Sequence, residues 1–364
     1  MARLVCALFG LSCLFLFACG QAPPAGIRVG EELFERNRYY DESRLGDVKS
    51  ITVLSSEPGQ VVKVVVGGSS GAALLLPSGT LSSFVPFDVQ VPNVAVLDLD
   101  KDGALEYMNR GRGWSPVGRL DAQGRSLWHY PSSRADRAAD AMAAGDLDVD
   151  GDLEFVVGMN GSGGLRVLDE RGIELWRRDA ANVFNVEVLD IDKDGRPEIV
   201  HSDGGRTNGG IWIRSGTGDV IRRLNPGFVS FSLLHWPAAN SAPSLLGIVP
   251  PDRLQIVDLS GQTVAQFTLP DSGFAVAIGT QVRFGSDGNV FLAVVRTIKA
   301  TWKRSAFYVF DSDSNLIYHE ILPASAIGLA VLPADSSGKE ALLIGSGSTV
   351  WRYGMRTSAD SVRP

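Results

Sequence analysis

The sequence predicts an all-β chain, a seven-bladed β-propeller of four-stranded antiparallel blades closed by the N-terminal strand completing the last blade. Three observations carry this. A nine-residue acidic segment recurs without gaps at Asp98 to Glu106 (DLDKDGALE), Asp146 to Glu154 (DLDVDGDLE) and Asp190 to Glu198 (DIDKDGRPE). A glycine turn running into a strand with a large apolar residue recurs later in the unit, as Gly124-Arg-Ser-Leu-Trp128 and Gly172-Ile-Glu-Leu-Trp176. Candidate first strands then begin near Ile51, Val94, Ala141, Phe184, Val229, Ala275 and Ile327, at nearly even spacing. Short strands repeated every roughly 40 to 50 residues describe propeller blades.

The first segment of the chain is not part of that repeat. Arg3 precedes an apolar run from Leu4 to Phe17, the layout of a secretory signal peptide, and its 14 residues fall short of a bilayer span, which needs roughly 20. All three cysteines, Cys6, Cys13 and Cys19, lie here, so the remainder cannot be held by disulfides and must rely on a large apolar core. The organisation expected is a signal peptide at 1–18, Cys19 and a short tether at 19–29, the propeller at 30–355 and a polar tail at 356–364. The net charge is −7, and no lysine or arginine stripe forms, which argues against nucleic acid as a partner.

Within each unit the acidic segment follows one short apolar strand (VAVL, AMAAG, VEVL) and precedes another (YM, FVVG, IV), so it joins strands A and B of a blade. The glycine turn joins C and D, with weaker copies after Gly79, Gly218 and Gly261 and around Asn315 to Tyr318. The last unit offers strands at Ile327 to Leu332, Glu340 to Gly345 and Ser348 to Tyr353 and no fourth. Gly30 to Arg36 copies the turn-and-strand pattern of Gly172 to Arg178, and is expected to supply it.

Two resemblances add to this reading. Leu16-Phe17-Ala18-Cys19 resembles the bacterial lipobox, although Phe17 departs from the residue usual there. It implies cleavage before Cys19, lipidation of its sulfur and anchoring in the bacterial envelope, with the outer membrane favoured because Gly20 is not aspartate. An ordinary signal peptide cut nearby is the alternative. The repeats, above all Ala144 to Gly158, resemble FG-GAP/VCBS repeats, the blades of integrin-α-type propellers. That resemblance implies loops that bind calcium and a propeller serving adhesion or ligand recognition. Here the ninth loop position is Glu where that family commonly has Asp, and four blades lack the acidic loop.

The residues support calcium on their own chemistry. Carboxylates at positions 1, 3 and 5 converge if the chain turns sharply after them, which Gly103, Gly151 and Gly195 at position 6 permit. Three Ca2+ sites are expected: Asp98, Asp100, Asp102, the Ala104 carbonyl and Glu106; Asp146, Asp148, Asp150, the Asp152 carbonyl and Glu154; Asp190, Asp192, Asp194, the Arg196 carbonyl and Glu198. Zinc and iron usually want His or Cys, which these loops lack.

The opposite face is expected to bind a partner, a protein or a glycan, through Arg112, Trp114, His201, Arg206 and Trp302. His201 is expected to end a strand B and open a glycine-rich connection, and its pairing with Asp203 lacks a placed nucleophile, so a binding or scaffolding module is favoured over an enzyme. The alternatives are a BamB-like outer-membrane assembly scaffold and a polysaccharide-acting enzyme on a calcium propeller.

Overall fold

A strand covered on both faces reads as an unbroken apolar run, whereas one at a sheet's outer edge carries polar residues toward solvent. Both patterns occur in the chain, and the computed structural model places them at different depths of one ring. It describes residues 24–57, 60–97, 105–111, 115–132, 139–204, 210–224, 233–236, 245–248, 253–270, 277–285, 287–299 and 303–356.

The chain opens with β1 (Gly26–Val29) and β2 (Phe34–Asp41), then runs through the blades in order. Blade one is β3 (Val48–Glu57), β4 (Gln60–Gly68), β5 (Gly71–Leu75) and β6 (Leu81–Pro86). Blade two is β7 (Val94–Leu97), β8 (Glu106–Asn109), β9 (Val117–Leu120) and β10 (Ser126–Tyr130). Blade three is β11 (Ala139–Gly145), β12 (Glu154–Met159), β13 (Leu165–Leu168) and β14 (Glu174–Arg178). Blade four is β15 (Val186–Leu189), β16 (Glu198–Asp203), β17 (Gly210–Arg214) and β18 (Val220–Leu224). Blade five is β19 (Leu233–Trp236), β20 (Leu245–Ile248), β21 (Arg253–Val257) and β22 (Thr263–Thr268). Blade six is β23 (Ala277–Val282), β24 (Phe291–Lys299), β25 (Arg304–Phe310) and β26 (Leu316–Ile321), and β27 (Gly328–Leu332), β28 (Ala341–Ser346) and β29 (Thr349–Met355) begin blade seven. All neighbouring strands within a blade are antiparallel, so the A–B and C–D turns lie on one face of the ring and the B–C and D–A connections on the other.

Burial follows from this stacking. Strand B is buried along its whole length in β12 (EFVVGM) and β28 (ALLIGS), because one of its faces meets the preceding blade and the other the next. In β4, Val64 and Val66 join the apolar cluster shared with blade seven, while Val65 joins the one shared with blade two. Among the described residues seven such clusters form, one at each junction between neighbouring blades. Glycine on strand B sets the closeness of the stack. A Cβ on Gly67 would lie 2.5 Å from Val94 Cγ1 of the next blade, and one on Gly158 2.6 Å from Val183 Cγ1. Strand D shows the other pattern, with Leu127 and Leu175 exposed beside partly covered tryptophans.

The G-x-x-L-W signal is an inter-blade buckle. Trp128 of blade two lies over the turn of blade three, where a Cβ on Gly172 would meet its Cδ2 at 2.7 Å, and its Nε1 donates to the Glu170 carbonyl at 2.9 Å. Trp176 covers Gly218 of blade four in the same way.

Closure is made by the N-terminus. β2 pairs antiparallel with β29, Phe34 opposite Met355 and Asp41 opposite Thr349, and so becomes strand D of blade seven. The turn expected at Gly30 is present, closed by the Leu33 N–H on the Gly30 carbonyl at 3.0 Å, and the strand that follows it runs on to Asp41, beyond the Arg36 where the copied pattern ends. Gly26–Val29, expected to lie in the tether, is instead a fifth strand on the edge of blade six, with Gly26 opposite Ile321. Ile321 ends β26 and leads into a D–A connection, so the chain enters the ring on the face away from the acidic loops.

A polar knot fastens this seam. Glu320 of β26 is fully buried, and its carboxylate accepts from Arg36 of β2 and from the Tyr318 and Tyr353 hydroxyls, each hydroxyl at 2.9 Å. Burial, reinforced by the Glu320 charge, pushes both phenols well up, so they stay protonated as donors. Phe34 packs edge-on against Phe284 at 5.0 Å, and the Arg36 guanidinium lies 4.5 Å over the Trp351 ring.

Removing residues 1–25 should leave the melting temperature unchanged. Removing residues through Asp41 strips both strands, exposes the β29 edge and should abolish the cooperative transition in calorimetry. Arg36→Met leaves a buried carboxylate without its cation and should cost about 3 kcal/mol in urea melts.

Candidate metal centre

Two of the three acidic loops, in blades three and four, fall within the described residues, and they are built alike. In the blade-three loop the Asp146 carboxylate accepts from the N–H groups of Asp150 and Gly151, both at 3.1 Å, and Asp150 accepts from Asp152 N–H at 2.9 Å. In blade four Asp190 accepts from Asp194 at 3.0 Å and Gly195 at 2.9 Å, and Asp194 accepts from Arg196 at 2.8 Å. Position 1 therefore gathers two backbone donors and position 5 one, winding the chain around the carboxylates. Gly151 and Gly195 adopt φ of 100° and 90°, as the turn requires. A Cβ on either would meet nothing within 4 Å, so the backbone angle alone selects glycine.

Position 9 does more than close the loop. Glu154 and Glu198 open strand B opposite the last residue of strand A, Gly145 and Leu189, and are buried. Each reaches back to accept the N–H of position 2, Leu147 at 2.8 Å and Ile191 at 2.9 Å. Those position-2 side chains are themselves buried pegs. Glu106 shares the register, opposite Leu97, and the burial. Burial pushes the Glu154 and Glu198 carboxyls up, the backbone donors oppose it, and the three neighbouring aspartates add to it.

These loops can hold a metal ion. Ligand oxygens of Asp146, Asp148 and Glu154 come within 4.8 Å of one another, and so do those of Asp190, Asp192 and Asp194. The donor set is all carboxylate oxygen, suited to a hard cation, which would also relieve the repulsion that raises the glutamates. Asp150 and Glu198, expected as ligands, are not in those two groups. The third loop's Asp98, Asp100, Asp102 and Ala104 lie outside the described residues.

The sequence did not reveal strain at position 4. Val149 and Lys193 have φ of 64° and 63°, a left-handed conformation unfavourable for any side chain and most of all for a β-branched one. The loop's hydrogen bonds impose it.

Of the five residues expected to bind a partner, His201 alone falls within the described residues. Arg112, Trp114, Arg206 and Trp302 lie outside the described residues. His201 is a correction: it sits inside β16, not at its end, and is fully buried between Val186 and Trp212. Strand B continues past it because Ser202 and Asp203 pair with Ile211 and Gly210, and Ser202 Oγ accepts the N–H groups of Phe184 and Asn185 at 3.0 Å each. Arg214 Nε donates to His201 Nε2 at 3.0 Å, so the imidazole is neutral with its proton on Nδ1, which faces the Ser202 carbonyl at 3.1 Å. Burial lowers its pKa to about 4, helped by the Arg214 charge.

No protein-family profile and no curated protein sequence matches the chain. Among solved structures it is similar to BBS1N in complex with ARL6DN, soaked with mercury, with a TM-score of 0.56 at 12% identity over 86% of this chain and 93% of that one. The lead-soaked crystal of the same complex gives 0.55 at 12% identity, with the same coverage. The Neurospora crassa Pan2 WD40 domain stands further off, at 0.48 and 11% identity over 89% and 96%. The likeness to BBS1N is one of fold: a β-propeller.

Val149→Asn should raise the unfolding free energy by about 1 kcal/mol in chelator, since asparagine tolerates the left-handed region; urea melts would check it. His201 stays neutral when folded and gains a proton near pH 6.5 when unfolded. Its stabilising contribution is therefore full above pH 6.5 and declines as the pH falls toward about 4. Between pH 7.5 and 4.5 the loss should be on the order of 2 kcal/mol, and His201→Gln should remove that portion of the profile.

Proposed function

We propose that the chain is an extracytoplasmic, lipid-anchored calcium-binding propeller that acts as a binding or scaffolding module for a protein or glycan, not as an enzyme. One observation carries the reading: two consecutive blades present loops with the same hydrogen-bond plan, each converging three carboxylates within 4.8 Å on one face. Calcium takes six to eight oxygens at about 2.3 to 2.6 Å, so two ligands of one ion stand at most about 5 Å apart, which matches that spread. The buried glutamates, raised by burial and by neighbouring aspartates, supply the electrostatic reason for a cation.

The histidine next to the glycine-rich connection is held neutral in the core, which supports a binding role over a catalytic one. Lipidation is proposed at Cys19, five residues before Pro24, where the described chain begins. Five residues span at most about 18 Å. Because Gly26 enters on the D–A face, such an anchor would turn that face toward the membrane and the acidic loops away from it.

Calcium titration calorimetry on the mature chain is the test. Saturable heat is expected, with a melting temperature that rises on calcium addition, since ligand at about 100 times its dissociation constant stabilises by roughly 2.7 kcal/mol per site. Asp148→Ala should remove one site, and Cys19→Ser should move the protein out of the membrane fraction. Absence of both heat and a chelator-dependent melting shift would end the calcium reading.

A further inference from the structure

The strands A surround an open channel, and near its D–A end lies a cavity of about 380 Å³ lined by residues of six blades. That volume lies within the range of small-molecule sites, roughly 300 to 1,000 Å³. Its two walls differ in chemistry. Blades one to four contribute Lys49, Asn93, Arg110, Asp140, Asn185 and Glu187, all half-buried. Blades six and seven contribute an apolar wall that includes Ile278, Ile327 and Leu329.

The charged groups are already matched and held. Arg110 Nε donates to the Met142 carbonyl at 2.8 Å, and its other arm stands 3.8 Å from Glu187 Oε1. Asp140 accepts from the Asn160 amide at 2.7 Å, and Lys49 pairs with Asp47 at 3.1 Å. Two cations and two anions facing one cavity leave it without net charge. A charged ligand entering here would have to displace a partner and lose its own hydration without compensation. A neutral ligand rich in hydroxyls suffers neither cost. Each hydroxyl both donates and accepts, so it can bridge carboxylate to guanidinium or amide, and the C–H face of a sugar ring suits the apolar wall.

We propose that this end of the channel is a binding site for a neutral sugar, the terminal unit of a glycan. The proposal narrows the binding role given above to one ligand class and one place, and it does not depend on calcium. The polar wall selects hydroxyl pairs, and the apolar wall excludes polyanions and polyamines.

Saturation-transfer NMR of the full mature chain with glucose, galactose, mannose and N-acetylglucosamine, each at millimolar concentration, tests it, with arginine and citrate as charged probes. At least one sugar should receive saturation, and neither charged probe should compete. Glu187→Gln, nearly isosteric, should weaken that sugar by about tenfold, as loss of one charge-assisted hydrogen bond implies. Asn93→Phe, which fills the mouth, should abolish the signal. The melting temperature and far-ultraviolet circular dichroism of both variants show whether the ring is intact. If Asn93→Phe does not fold, Glu187→Gln decides. No transfer to any of the four sugars, transfer unchanged in Glu187→Gln, or binding of the charged probes alone would each overturn the proposal. A protein partner captured while the sugars fail would overturn the site and leave the module reading standing.

Discussion

Each blade has two large apolar faces, and each face is covered only by a neighbouring blade. An open row of seven blades would leave a bare face at either end, so the burial that stabilises the interior blades requires the row to become a ring. The ring is closed inside blade seven, where β2 completes the sheet of β27 to β29, and at that blade's junction with blade six Phe34, Phe284, Phe307, Tyr318 and Tyr353 meet in one cluster. Within that blade β2 and β29 come from opposite ends of the chain, so nothing covalent holds their shared edge. The N-terminal strands and the knot around Glu320 do so instead.

A closed ring with valine pressed against strand-B glycine leaves little freedom for the connections that cap it. The acidic loops span two adjacent strands of a buried sheet and are fixed at both ends, by a buried position 2 and a buried position 9. Carboxylates thus stand near one another before any ion arrives, and the repulsion between them is stored by the scaffold. The left-handed Val149 and Lys193 belong to the same balance between local strain and hydrogen bonding.

Much of this was legible because it repeats. The strand-B runs, the turn glycines and the tryptophans recur in phase, and the phase counts the blades. The glycines at position 6 could be read from conformational need, and the Trp–Gly buckle explains why G-x-x-L-W is visible at all. What misled was composition taken locally. Ser202, Asp203 and Gly204 look like a loop, yet two of them extend a strand, since Ser202 finds its hydrogen bonds across to the D–A connection. His201 therefore read as exposed and is core. Gly26–Val29 carries too short a pattern to announce a strand, and only the free edge of β26 gives it one. In blade five, where no acidic loop marks the phase, the described part of strand A is Leu233 to Trp236, and Val229, near which it was expected to begin, lies outside the described residues.

The direction of β1 sets how the ring responds to a pull. A force drawn through the residues before Gly26 along the line of β1 loads β1 and the strand it pairs with, β26, lengthwise. The bonds of that ladder, from Gly26–Ile321 to Val29–His319, then share the load in shear and do not open in succession like a zipper. Behind them stands the Arg36–Glu320 contact, anchored in the same β26. Tension applied along that line is thus delivered into the seam in shear, and a molecule pulled this way is mechanically braced where its covalent continuity is lowest.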